Sequence, residues 1–371
     1  MALSTWHWHG ITMNTLKPAR DIHRFLFSSP ASFVGHVETE TYLLMPAFPS
    51  GEDMRLFCTQ GPYQRSFVSA TLQIPEDEPA AGEPPVRNNY CWLADQLAGL
   101  LCAYYGKLIV NHGYTNWGDI FSVPQFGFVP TVDYSLPPFD GKPRAATRLP
   151  DLNLAHSARL LSGFMLAKGS DELQTSAVNA SAFYQQALTL YSQRPHLSFT
   201  LLLICLECLL PLGRYADEDV YCAELLDDLS AITAEVEGGA EIVKRLKSRL
   251  FQIRRKCALF VHQTLDGDFY QSSESELNLR RASAGDIQCH IKAAYDLRSR
   301  FMHTGRSHGV WVNAMKHVGE ELVSGDPVIH DPDLKKLVVN SLTLFGLERV
   351  VQYCLHRSII STIKVSPAQP Q

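Results

Sequence analysis

Arg298 and His303, five residues apart, are the side chains of this sequence best suited to chemistry on a phosphodiester. A guanidinium presents a planar fork of N–H donors that grips a phosphate through two parallel hydrogen bonds and offsets charge developing on its oxygens. An imidazole titrates near neutrality and can take or give a proton at the same centre. Each residue also has a plainer reading. An arginine on the apolar side of a helix needs a carboxylate, a second subunit or a wet cleft, because burying an unpaired guanidinium is costly. Glu207 could supply such a core or interface ion pair. A histidine in the last turn of a helix can simply be a cap favoured by the helix dipole.

Both residues fall on one expected helix. Ser283-Ala284-Gly285-Asp286 has capping-box spacing, so a helix should begin there, and Gly305 can end it. Ile287, Ile291, Ala294 and Phe301 recur at three- and four-residue intervals and predict the core-facing stripe, and Arg298 falls where that stripe expects an apolar residue. Five residues amount to roughly 140° of rotation, so Arg298 and His303 converge only if the helix loosens just before Gly305. Arg300 follows Asp296 by four, the spacing of a solvated salt bridge.

A second candidate is the basic segment from Glu241 to Lys256. It holds Lys244, Arg245, Lys247, Arg249, Arg254, Arg255 and Lys256 against the single acid Glu241. On one continuous helix these would form a basic face above an apolar stripe of Ile242, Leu246, Leu250, Ile253 and Ala258. That is either an ordinary solvated face or a surface for RNA phosphates. Other features are weaker. Trp6-His7-Trp8-His9 puts two histidines on one side of a strand, but no third metal ligand is evident. Cys205 and Cys208 form the only close cysteine pair and read as buried small hydrophobes on a helix. Asp151 and Asp268 have no obvious partners. The sequence contains no Walker A loop, Gly-rich dinucleotide turn or Gly-x-Ser-x-Gly elbow.

The elements that must position these residues divide by texture. Residues 1–149 are rich in aromatics and proline, with strand-like runs at Glu40 to Met45, Arg55 to Thr59 and Ser66 to Ile74. They also contain one helix-like stretch, Asn88 to Gly106, an acidic proline-rich loop from Pro75 to Val86, and a connector from Pro124 to Pro150. This half predicts a small α+β domain. Residues 150–371 carry long helical periodicity with few strand signals, which predicts an antiparallel helical bundle. Expected helices are Leu152 to Leu166, Ala177 to Ser192, Leu197 to Leu210, Asp217 to Glu235, Ala240 to Thr264, Asp286 to His303 and Asp333 to Cys354. The 371 residues, 46% of them hydrophobic, suffice for two cores, and a net charge of −5 means that any nucleic-acid contact must be local. Nine irregularly spaced cysteines suit a reducing compartment. Without a basic-then-apolar leader, and with the longest apolar run (Leu201 to Leu212) judged too short to span a bilayer, a cytoplasmic location is expected.

The run Tyr295-Asp296-Leu297-Arg298-Ser299-Arg300-Phe301-Met302-His303-Thr304-Gly305 resembles the signature of HEPN domains, in particular the Apea-like branch, whose motif runs approximately Tyr-x-x-Arg-Ser-x-x-x-His-x-Gly. Leu197 to Leu210, with Leu206 and Glu207, is similar to the upstream helix of that family. The resemblance covers roughly residues 152–360. Ser299 departs from the Asn, Asp or His that many members place after the arginine, and matches the Apea-like variant. The resemblance implies an all-α bundle that forms a homodimer, so that two Arg298/His303 pairs face one another, with Glu207, Tyr295 and Ser299 in support. It implies a metal-independent endoribonuclease leaving a 2′,3′-cyclic phosphate, of the kind found in toxin, antiviral and abortive-infection systems. RNA is the expected partner and no cofactor is expected. The N-terminal half would then sense a protein trigger or regulator, or select the RNA. Two alternatives remain: a non-catalytic HEPN interaction module whose Arg298 and His303 hold a dimer interface, and a regulator of a separate enzyme.

Overall fold

In a computed structural model of the chain, the described residues are 21–47 (apart from 30, 32 and 39–41), 66–74, 91–121 (apart from 115, 118 and 119), 152–165, 172–273 (apart from 192), 275 and 280–362 (apart from 308, 310, 312–318 and 324). The chain divides into two compact units, residues 1–193 with 359–371, and residues 194–358.

In the first unit, strands β1 (Asp21–Ser29), β2 (Val37–Glu38), β3 (Tyr42–Ala47), β4 (Ser66–Ile74) and β5 (Val110–Tyr114) form an antiparallel sheet of order β2-β3-β4-β1-β5. A two-stranded ribbon, β6 (Asn116–Trp117) and β7 (Ile120–Phe121), follows. The run expected from residue 66 to 74 is a strand over that span, and the run expected from 40 to 45 is shifted to β3. The span Arg55 to Thr59 lies outside the described residues, as do Pro75 to Val86, Pro124 to Pro150 and Trp6 to His9. β1 pairs with β4 from Asp21↔Ile74 to Ser29↔Ser66, and with β5 on its other edge. Helix α1 (Cys91–Tyr105) stops where Gly106 takes φ +66° and donates its N–H to the Cys102 carbonyl at 2.8 Å.

Two further helices, α2 (Ala158–Met165) and α3 (Glu172–Leu190), belong to this unit, although their texture groups them with the later helices. The compact units divide at 193/194. The cause is packing: α3 lies on α1, and a side chain at Gly99 would sit 3.4 Å from the backbone of Ser181 and Ala182.

The second unit is helical among its described residues. It comprises α4 (Pro195–Leu209) with a 3-10 turn to Leu212, α5 (Asp217–Val220), α6 (Ala223–Glu235), α7 (Gly239–Lys247), α8 (Ile253–Thr264), α9 (Gly267–Gln271), α10 (Ile287–Thr304), α11 (Pro332–Asn340) and α12 (Leu344–Thr362) as far as Ser358. An α+β part and a helical part are thus both present. Its core joins Leu202, Leu203, Leu206 and Leu209 of α4, Cys257, Ala258 and Val261 of α8, Ile287, Ile291, Ala294 and Leu297 of α10, and Leu347, Val350 and Val351 of α12. Pro195–Leu212 reaches 18 residues with mean hydropathy 1.7, long and apolar enough by length and composition to cross a membrane, which corrects the shorter span judged from sequence. Here it packs against α8 and α10.

Three expected helices are each divided. Asp217 to Glu235 breaks at Tyr221 and Cys222, Ala240 to Thr264 breaks between Lys247 and Ile253, and the last breaks at Ser341–Thr343. At the second break Gln252 adopts φ 47° and ψ 36°, a left-handed conformation that no other described non-glycine residue has. At the third, the Thr343 hydroxyl accepts the Gly346 N–H at 3.0 Å and starts α12. The strand-like bridge Leu322↔Leu342 lies beside it. The buried Glu321 carboxylate accepts hydrogen bonds from Arg349 (2.8 Å), Ser273 (2.6 Å) and the Ala282 N–H (2.8 Å).

Candidate functional site

α10 is the scaffold of the Arg298/His303 pair. Asp286 stands at its N-cap, preceded by a turn in which the Ser283 hydroxyl donates to the Asp286 carboxylate at 2.8 Å and accepts its N–H at 3.3 Å. The helix begins near the expected place, but its N-cap is Asp286 and not Ser283, and the two residues form a turn before the helix in place of a capping box. The stop is as expected: Gly305 takes φ +65° and its N–H donates to the Phe301 carbonyl at 2.8 Å. Ile287, Ile291 and Ala294 are fully buried. The next core position belongs to Leu297, also fully buried, so Arg298 flanks the stripe and does not interrupt it.

The Arg298 side chain is 19% exposed and lies against α4, with Nη1 3.1 Å from Glu207 Oε1. The same nitrogen donates to the Tyr295 hydroxyl at 3.3 Å, and the guanidinium carbon stands 5.3 Å from the Tyr295 ring centre. The pair is close but not aligned as a hydrogen bond. Glu207 Oε1 and Arg298 Nε are both buried without a hydrogen-bond partner. Loss of solvent raises the Tyr295 hydroxyl above its ordinary pKa, and the Glu207 charge raises it further, opposed by Arg298. On α8, burial pushes the Cys257 thiol up to about 12, with Glu207 adding to the shift and Arg298 opposing it. Arg298, Glu207 and Tyr295 therefore form one part-buried charged cluster, which realises the ion pair that sequence offered as the plainer reading.

His303 is exposed in the last turn of α10, and among the described residues it makes no hydrogen bond or ion pair. No hydrogen bond joins it to Arg298 within this chain. Ser299 is half-buried and its hydroxyl has no partner among the described residues. Arg300 is bound elsewhere than expected: it meets Asp331 at 2.5 Å, and Asp296 pairs with Arg254 at 2.6 Å.

The basic segment is not one helix, so its seven basic residues separate. Lys247 is held by Asp217, Arg254 by Asp296, and Arg255 donates to the Val220 carbonyl at 2.9 Å. Lys256 stands 5.8 Å from the Tyr215 ring centre. Lys244, Arg245 and Arg249 are exposed and unpaired among the described residues. Val243, and not Ile242 or Leu246 of the expected stripe, is the buried side chain of α7.

Sequence reasoning missed His196. It stands in the first turn of α4, hydrogen-bonded through Nε2 to the Ser307 hydroxyl at 2.8 Å and with its ring centre 5.7 Å from that of Phe301, and burial lowers its pKa. The only signal was Pro195 before it, which marks a helix start. Of the cysteine pair, Cys205 is fully buried and Cys208 half-buried, and burial raises both thiols. Among the described residues no group of three His, Cys, Asp or Glu side chains could hold a metal ion. Comparison with protein-family models, with curated proteins and with solved structures returns no significant match, so the HEPN resemblance stands on these residues alone.

Proposed function

We propose that the chain is a metal-independent endoribonuclease of the HEPN type that acts as a homodimer. The observation that carries this reading is the arrangement on α10. Arg298 is held part-buried beside Glu207 and Tyr295, and the exposed His303 stands in the same helix's final turn. In the dimer, two such helix ends approach one RNA strand from opposite sides. A neutral His303 takes the proton of a 2′-hydroxyl as its oxygen forms a bond to the adjacent phosphorus. The P–O5′ bond breaks, and a protonated His303 from the second subunit delivers a proton to the leaving O5′. Arg298 offsets charge on the non-bridging oxygens. The products are a 2′,3′-cyclic phosphate and a 5′-hydroxyl. A role as a cytoplasmic toxin or antiviral effector follows the resemblance, with the N-terminal unit receiving a trigger.

The test is cleavage of total RNA in EDTA by the wild type beside Arg298→Ala and His303→Ala, with dimerisation measured by light scattering. Cutting by the wild type, and its loss in both folded dimeric variants, is the expected result. The Arg298–Glu207 contact favours a second reading, a non-catalytic interaction module in which the pair is architectural. No cutting, together with loss of the dimer on substitution, would select that reading.

A further inference from the structure

The turn joining α7 to α8 combines features that the helical bundle does not require. Phe251 is 65% exposed, an aromatic ring left in water. Next to it Gln252 holds φ 47°, a backbone conformation disfavoured for any residue with a Cβ. Lys244 and Arg245 occupy the last turn of α7, and Arg249 follows Arg245 by four residues in a turn closed by the Ser248 N–H to the Lys244 carbonyl (3.1 Å) and the Arg249 N–H to the Leu246 carbonyl (2.9 Å). The three cations have no carboxylate within pairing distance among the described residues. The acid on the same row of the helix is Glu241, in its first turn.

An exposed ring bordered by unpaired cations is what a single strand of nucleic acid requires. Any unpaired base can stack on the ring, and the flanking phosphates are met by charge. A paired duplex would use the cations and leave the ring idle, since its bases stack on one another. A bilayer is a poorer fit. α7 is nine residues long and buries Val243 in the bundle, so Phe251 and Leu246, the latter 37% exposed, are the apolar side chains it could insert.

We propose that the α7–α8 turn is a binding site for single-stranded RNA, with Phe251 stacked on an unpaired base and Lys244, Arg245 and Arg249 on the adjoining phosphates. Its biological role rests on the ribonuclease reading, which it deepens by specifying an unpaired strand.

The full-length protein is titrated by fluorescence anisotropy against a short 2′-O-methyl oligouridylate in EDTA. Phe251→Ala should weaken binding about tenfold or more, and Phe251→Trp should keep it. Changing Lys244, Arg245 or Arg249 to Gln should each reduce the log–log salt slope by about 0.7. Circular dichroism confirms that the variants fold. An unchanged affinity in Phe251→Ala, equal affinity for a fully paired RNA hairpin, binding to phosphatidylserine vesicles in place of RNA, or no binding would each overturn the proposal. The methylated strand lacks a 2′-hydroxyl and cannot be cut, so the two readings fail separately. Binding without any cleavage of ordinary RNA sinks the catalytic reading, and cleavage without this binding sinks the α7–α8 site.

Discussion

The contact between Glu207 and Arg298 can be measured by a double-mutant cycle of Glu207→Gln, Arg298→Gln and the two together. At 3.1 Å, two unit charges in an effective dielectric of about 20 attract by about 5 kcal/mol. Both side chains are about four-fifths buried, and their desolvation cancels much of that attraction. The absence of hydrogen-bond alignment lowers the net value further. A coupling energy of about 1–2 kcal/mol is the expected remainder, within the range seen for residues in one network. Each single variant should cost more than half of that alone, because it strands a part-buried partner. The assay is urea unfolding followed by far-ultraviolet circular dichroism, with a common m-value for the four proteins. A coupling below about 0.3 kcal/mol, the ordinary additivity error, would show that the two groups do not interact and would remove the anchor from the proposed site. Cleavage measured on the same four proteins divides the roles. Arg298→Gln should lower the rate about 100-fold or more if the guanidinium meets phosphate, and Glu207→Gln should lower it less.

Three other predictions follow from the packing and titration described above. Gly346→Ala should destabilise the second unit by about 2–3 kcal/mol, because its methyl would lie 2.3 Å from the Glu321 carbonyl oxygen and 2.8 Å from its Cα, and calorimetry should show a midpoint several degrees lower. Gln252→Gly should leave stability unchanged or raise it by up to about 1 kcal/mol in urea unfolding, since glycine adopts the left-handed conformation freely; a loss above about 1 kcal/mol would show that the side chain, not the backbone, shapes the turn. The Asp331 carboxyl is held below the ordinary carboxylate range, first by the Leu334 N–H and then by Arg300. Its stabilising contribution is complete above the unfolded value of about 3.9 and is lost as pH falls through the lower native value, so Asp331→Asn should flatten the acid limb of a stability–pH curve.

Sequence captured what local chemistry controls. Gly305 as the end of α10, Gly106 as the end of α1 and the span of β4 all follow from residue types read in place. β1 was not anticipated because it is the inner strand between β4 and β5, and residues 24–29 are all buried. Its buried Arg24, Ser28 and Ser29 erase the alternation that marks a half-exposed strand. The break at residues 248–252 was illegible for a different reason: neither Gly nor Pro occurs in Ser248-Arg249-Leu250-Phe251-Gln252, so nothing local announces that Gln252 turns left-handed. That one turn leaves Lys244, Arg245, Lys247 and Arg249 before it and Arg254, Arg255 and Lys256 on a separate helix. At the site, pattern alone identified Arg298 and named Glu207 as a candidate carboxylate. Periodicity could not distinguish Leu297 from Arg298 as the core residue, because adjacent positions bordering a stripe differ by only about 100°. The partner of Arg300 was misread because Asp331 lies on a different helix, where no spacing rule reaches.

Asp296, Arg298 and Arg300 tie α10 to three different helices, α8 through Arg254, α4 through Glu207 and α11 through Asp331. Alternate residues on a helix fall on nearly opposite sides of its axis, so the rod is keyed from both flanks and cannot roll without parting at least one tie. Its azimuth is therefore locked over those five residues, and Arg298 is presented at a set bearing. His303 lies beyond the last tie, in the final helical turn, where the Thr304 hydroxyl donates to the Arg300 carbonyl at 2.7 Å and Phe301 stands against His196. On the ribonuclease proposal, the guanidinium is the group whose bearing these ties fix, and the imidazole lies outside the tied span.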